Sequence, residues 1–173
     1  EPWRSDLFDL IDQCKNLDFL LLTKRPENIR RMWKGPSRRN VWLGTSIANQ
    51  ANADEWVPKL LTCAGLGTLL FLSIEPQIER IDLRCLQPNG EVEVDCLGGT
   101  HGVLRPHRGQ NASISWLICG GESKQGSAEP RPFNLDWARS LVAQCDDARV
   151  PCFVKQFGGN AWDGSTRFIT RDS

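Results

Sequence analysis

The chain has no long apolar run, no excess of either charge and almost no histidine. No stretch approaches the roughly 20 apolar residues of a membrane-spanning helix, so no membrane partner is expected. Basic and acidic residues both number 21. That balance removes any global attraction for nucleic acid or a lipid surface and leaves only a local basic groove to consider. The two histidines, His101 and His107, lie away from every apolar run. A Ser-His-Asp or Cys-His nucleophilic centre is therefore disfavoured. No Gly-x-Gly-x-x-Gly follows a strand pattern and no Walker phosphate loop is present, which disfavours a dinucleotide fold. None of the seven cysteines forms a C-x-x-C pair. Cys14, Cys119, Cys145 and Cys152 fall on apolar faces and read as small buried hydrophobes in a reducing, cytoplasmic setting. Cys85 and Cys96 lie near His101 and His107, but their spacing fits no strong zinc pattern. The opening Glu1-Pro-Trp-Arg-Ser5 is not a signal peptide.

What the chain does contain is one grammar used five times: a short apolar run that ends in polar residues able to do chemistry. The stretch Ser115-Trp-Leu-Ile-Cys-Gly-Gly-Glu-Ser123 states it most fully. Trp116 to Cys119 show no polar alternation, as expected of a strand buried on both faces. Gly120 and Gly121 permit a sharp turn or a close approach to a ligand, and Glu122 and Ser123 follow. The other four runs end in Thr23-Lys24-Arg25-Pro26, in Gly44-Thr45-Ser46, in Ser73-Ile74-Glu75-Pro76 and in Lys155-Gln156. Ligands of parallel α/β sheets sit beyond the strand carboxyl ends, so these tails are expected to share one site.

Helical patterns separate the runs. Ser5 to Lys15 places Leu7, Leu10, Ile11 and Cys14 on one face. Pro26 opens a second helix, with Ile29, Met32 and Trp33 inward and Gly35-Pro36 as its stop. A third runs from about Asn52 to Leu61, with Pro58 expected to kink it or shift its start. A fourth is capped by Asn134 and runs through about Ala148. Alternating strand and helix means a parallel sheet. The expectation is a single α/β domain over residues 1–173, built as a partial or incomplete TIM-type barrel. Five strands fall short of eight, so the chain is expected to be a fragment of a longer barrel. Residues 77–112 break the rhythm and read as an irregular insertion with a small hairpin at Glu91 to Asp95. The tail after Gly159 reads as irregular, with Trp162 either core or an exposed stacking surface.

Taken together, Leu20-Leu-Leu-Thr-Lys-Arg-Pro26, Val41-Trp-Leu-Gly-Thr-Ser46, Leu72-Ser-Ile-Glu-Pro76, Ile118-Cys-Gly-Gly-Glu-Ser123 and Phe153-Val-Lys-Gln-Phe-Gly158 make the chain resemble a phage-associated, bacterially widespread family of uncharacterised proteins related to radical-SAM enzymes. The resemblance implies a TIM-type barrel, and for the full-length protein SAM and a [4Fe–4S] cluster held by cysteines ahead of Glu1. None of the cysteines here has that spacing, so no cofactor is expected in this chain as given. Radical-SAM enzymes hold the methionine amino group with a Gly-Gly-Glu turn near the second strand. Gly120-Gly121-Glu122 follows a much later strand, and that role does not carry over.

On their own chemistry, Glu75 and Glu122 are costly to desolvate without partners, and Lys24, Arg25 and Lys155 are the candidates. As a site, the acids would bind an amine or hydroxyl and the cations a carboxylate or phosphate. As structure, the same residues would be an ion-pair network that closes the barrel top. Thr23, Ser46, Ser73 and Ser123 suit helix caps and turns as well as ligand contact, and Gln156 stands beside Lys155. The first functional expectation is therefore the carboxyl-terminal segment of a radical-SAM-like enzyme, contributing SAM- and substrate-binding residues for a small-molecule or nucleotide ligand. The second is a non-catalytic binding module in which Lys24, Arg25, Arg38, Arg39, Arg131 and Lys155 hold an anionic small molecule or nucleic acid.

Overall fold

Short runs rich in Leu, Ile, Val and aromatic residues build the strands, and side chains on successive residues point to opposite sheet faces. The computed structural model describes residues 2–90, 93–99, 112–165 and 167–168. The main sheet comprises β1 (Phe19–Thr23), β2 (Val41–Ser46), β3 (Leu69–Ile74), β4 (Trp116–Gly120) and β6 (Cys152–Gln156). All four pairings are parallel and the spatial order is β1-β2-β3-β4-β6. The sheet is open: β1 and β6 are its edges, and no barrel closes among the described residues. A second, small sheet joins β5 (Phe133–Asn134), β7 (Ala161–Trp162) and β8 (Arg167–Phe168). The tail expected to be irregular is thus tied to the segment that leads into the last helix.

The helices depart from expectation mostly at their ends. α1 spans Pro2–Gln13, three residues earlier than the pattern indicated, because Pro2 is tolerated in a first turn. Ser5 lies inside it and accepts a hydrogen bond from Lys34 Nζ at 3.0 Å. The helix expected after Pro26 is reduced to a 3-10 turn, Pro26–Asn28, and one turn of α2, Ile29–Met32. Trp33 turns extended, with ψ 133°, and Gly35 takes φ +79°, so the chain leaves the helix early. α3 (Gln50–Leu61) is capped by Asn49, whose side chain accepts from the Asn52 N–H at 2.8 Å. Pro58 stays inside α3 and is buried. It forgoes one backbone hydrogen bond without ending the helix, and its ring adds to the core. α4 (Leu135–Ala148) is capped by Asn134 and ends at left-handed Arg149.

One core lies on one face of the sheet. Phe8 and Ile11 of α1, Val57, Leu60 and Leu61 of α3, and Leu141 and Cys145 of α4 cluster with Val41, Leu43, Leu70, Leu72, Ile74, Leu117 and Cys119 of the strands. Leu83, Leu86, Val94, Cys96 and Leu97 join the same cluster. The described part of the irregular insertion therefore packs where a helix between β3 and β4 would. Leu86 and Val94 form an antiparallel bridge. The expected hairpin lies partly outside the described residues, as do His101 and His107.

The helices cluster on that face. On the opposite face the expectation of strands buried on both sides holds at the centre of the sheet, where Gly44, Ser46, Phe71 and Ser73 are buried and Trp42, Trp116 and Ile118 half-buried. It fails at the edge strands β1 and β6. The register aligns the residues of this opposite face in rows across the sheet. Leu20, Trp42 and Leu69 form the first, and Leu22, Gly44, Phe71 and Trp116 the second. Ser46, Ser73, Ile118 and Phe153 form the third. Leu20, Leu22 and Phe153 are 46%, 50% and 52% exposed. Trp116 packs edge-on to Trp42, with centroids 5.6 Å apart, and beside Phe71 at 6.0 Å. Gly44 leaves room for the Phe71 ring, which occupies the place a Cβ there would take.

Candidate functional site at the strand carboxyl ends

One step past the third row, Glu75 and Lys155 reach the carboxyl edge of the open face. The register between β4 and β6 shifts at this point, so that Gly120 pairs with Gln156. Lys155 Nζ stands 3.5 Å from Glu75 Oε2. The Glu75 side chain is 19% exposed and that of Lys155 54%. Glu75 Oε1 is buried and has no hydrogen-bond donor among the described residues. It lies against Gly120, where a Cβ would come within 3.1 Å of it. The open face thus runs from wholly apolar rows at the strand starts, through two serines, to a carboxylate and an ammonium at the strand ends.

The remaining expected site residues divide. Glu122 is not paired with Lys24 or Arg25. Its carboxylate accepts the Arg131 backbone N–H and two guanidinium hydrogen bonds, at 2.9 to 3.0 Å. Those bonds hold its carboxyl down at about 2 and commit it to bracing the loop that follows β4. Ser123 donates to Gln156 Oε1 at 2.9 Å, and Gln156 Nε2 donates to the Gly121 carbonyl at 3.2 Å. These three join β4 to β6. Gly120 and Gly121 serve the same junction: a Cβ on Gly121 would run into the Phe157 carbonyl oxygen. The close approach expected to serve a ligand is, at Gly121, an approach of two backbones.

Ser46 and Ser73 are buried side by side on the open face. Thr23 alternates to the helix-covered face, and its hydroxyl accepts the Arg25 N–H at 3.0 Å. Lys24 and Arg25 are exposed at the end of β1, two strands from Glu75 and so about 10 Å away. They share its rim but do not partner it. Sequence reasoning missed Gln77, which is buried and donates to the Glu79 carbonyl at 3.0 Å, with Oε1 buried and unpartnered among the described residues. Nothing in its immediate sequence marks it. Ile118 and Phe153 belong to runs expected to be core: Ile118 is half-buried, and Phe153, on the edge strand β6, is exposed.

The basic set of the binding-module reading is dispersed. Arg38 and Arg39 precede β2, at the opposite end of the strands from Lys24 and Lys155. Arg38 is buried, pairs with Asp12 through Nε at 2.9 Å and Nη2 at 2.8 Å, and stacks on Phe8 at 4.4 Å. Arg131 is held by Glu122. No single groove gathers the six cations.

The described residues do not suit an iron–sulfur cluster. All seven cysteines are free, and no group of three or more His, Cys, Asp or Glu is arranged to hold a metal among the described residues. Cys119 and Cys145 lie in the core on the helix side, away from the rim. Burial pushes the Cys96 thiol far up. Cys85 is half-buried, and His101 and His107 lie outside the described residues.

A family model described as a protein of unknown function (DUF5131) matches residues 1–171. The chain belongs to that family. Neither a search of curated proteins nor one of solved structures gives a match to this DUF5131 chain. No described helix is long and apolar enough to cross a membrane.

Proposed function

We propose that the chain is the carboxyl-terminal segment of a radical-SAM-like barrel protein and that its ligand binds over the open face, at the Glu75–Lys155 rim. The observation that carries this reading is the graded open face. A sequentially ordered parallel sheet with its helices clustered on one side has the layout of a barrel wall, whose helix-free face would be the interior. Barrel interiors are packed with layers of side chains and bind ligands at the strand carboxyl ends. The rows of Leu20–Trp42–Leu69 and Leu22–Phe71–Trp116 behave as packing layers, and polarity rises toward Glu75 and Lys155.

In this reading the cluster ligands and the SAM chemistry belong to residues outside 1–173. The residues of this chain bind and orient the ligand in a cytoplasmic enzyme: Glu75 accepts from a donor, Ser46 and Ser73 offer hydroxyls, and Ile118 and Phe153 exclude water. The test is to reconstitute the longer protein with iron and sulfide without oxygen and to assay SAM for reductive cleavage. The expected product is 5′-deoxyadenosine. Failure to form either the cluster or that product overturns the reading.

The alternative, a non-catalytic module for an anionic small molecule or nucleic acid, is the weaker one, because its cations are divided between two ends of the sheet. Salt-sensitive nucleic-acid binding lost on charge reversal at Lys24 and Arg25 would favour it.

A further inference from the structure

The rim carboxyl group has fewer partners than its burial calls for. Glu75 is about four-fifths buried, yet Oε1 has no donor among the described residues and Oε2 has one long contact, 3.5 Å, to a half-exposed lysine. A carboxylate in that position is stabilised by any cation that reaches it. Gly120 beside it and Ser73 one step below are small, and Ile118 and Phe153 adjoin each other across β4 and β6 one step down the same face. One step on a face is about 6.6 Å, the length of a short arm carrying a single ring. Phe153, open to solvent, offers that ring an aromatic surface. Resting on the rim site argued above, we propose that the ligand group taken by Glu75 is an organic ammonium with an apolar or aromatic body. The ammonium replaces Lys155 Nζ at Oε2, and the body lies on Ile118 and Phe153.

This assignment makes Lys155 a built-in competitor rather than a ligand for an anion, and that separates it from the opposite chemistry. Benzylamine, benzoate and inorganic phosphate are titrated into the isotope-labelled chain, with backbone amide shifts as the readout. Benzylamine is expected to shift the amides of residues 73–75, 118–120 and 153–155, and benzoate and phosphate are not. Glu75→Gln weakens benzylamine by about tenfold or more, the loss of one charge-assisted hydrogen bond. Lys155→Met raises that affinity several-fold, because the competing ammonium is gone. Loss of benzylamine binding in Lys155→Met, binding of benzoate or phosphate at these residues, or no benzylamine shift there overturns the proposal. Formation of 5′-deoxyadenosine by the reconstituted longer protein without benzylamine binding would leave the broader reading standing. Benzylamine binding without cleavage would remove the broader reading alone.

Discussion

Glu122 takes three hydrogen bonds from one residue, Arg131: one from its backbone and two from its guanidinium. The pair pins a loop that leaves β4 and returns to α4. Glu122→Gln is expected to cost about 1 kcal/mol at neutral pH, a modest figure because Arg131 is half exposed and screened by solvent. The cost depends on pH in a fixed direction. The native carboxyl titrates at about 2 against an ordinary 4.5, so its stabilisation is complete above 4.5 and lost as pH falls toward 2. Urea unfolding of both proteins at pH 7 and at pH 3 checks this. The gap between them should shrink at the lower pH, and a constant gap rejects the pairing.

Gly121 and Gly126 should respond differently to the same methyl group. At Gly121 the added carbon meets the Phe157 carbonyl oxygen, part of a backbone that cannot swing aside. Gly121→Ala is expected to cost about 2–3 kcal/mol. At Gly126 the surroundings are open and only the positive φ, +59°, opposes a side chain, so Gly126→Ala should cost about 1 kcal/mol. Equal thermal shifts for the two variants would refute the backbone junction.

Arg38 is expected to act through packing as much as through charge. Its side chain is 6% exposed, paired to Asp12 and laid on Phe8, and Nη1 donates to the Lys34 carbonyl at 2.7 Å. Arg38→Met, which keeps the apolar stem but frees the Lys34 carbonyl, should lower stability by roughly 2–3 kcal/mol. High salt should recover little of the loss. Chemical denaturation with and without 1 M NaCl is the measurement. Full stability in the variant would return Arg38 to the pool of ligand-binding cations.

The thiols give an accessibility pattern. Cys63, Cys96, Cys119 and Cys145 are buried, and Cys14, Cys85 and Cys152 are half-buried. Burial raises the Cys63 and Cys96 thiols, further slowing thiolate chemistry. Titration with a disulfide reagent at pH 8 should find no more than three reactive thiols in the folded chain and seven after unfolding. Rapid reaction of more than three would show that the core is not packed as described.

Runs such as Val41–Leu43 and Leu69–Ser73 announced strands, because continuous apolar residues bounded by turn signals leave little else for the chain to form. Asn134 and the stripe of Leu141 and Cys145 announced α4 almost to the residue. The open face was not legible. Leu22 and Phe153 have the same apolar character as Leu21 and Val154, and only topology says which of each pair meets a helix. Of the candidate site, only the meeting of two side chains was legible. Glu75 and Lys155 converge because both end parallel strands on one face. Glu122 does not join them: its carboxylate lies 9 residues in sequence from Arg131, a partner in a loop whose path no periodicity reveals. Arg38 beside Arg39 looked like a basic pair, and only Asp12 and Phe8, brought up by α1, show that one of the two is core.

The Phe71 ring lies where Gly44 has no side chain, so the two positions share a single volume. Neither is free to change by itself: a bulkier residue at 44 needs a shrunken one at 71, and a shrunken one at 71 leaves a hole under Trp116 unless 44 fills it. Heredity should therefore treat this pair as one locus, with Gly and Phe exchanged for another large–small combination or not exchanged at all.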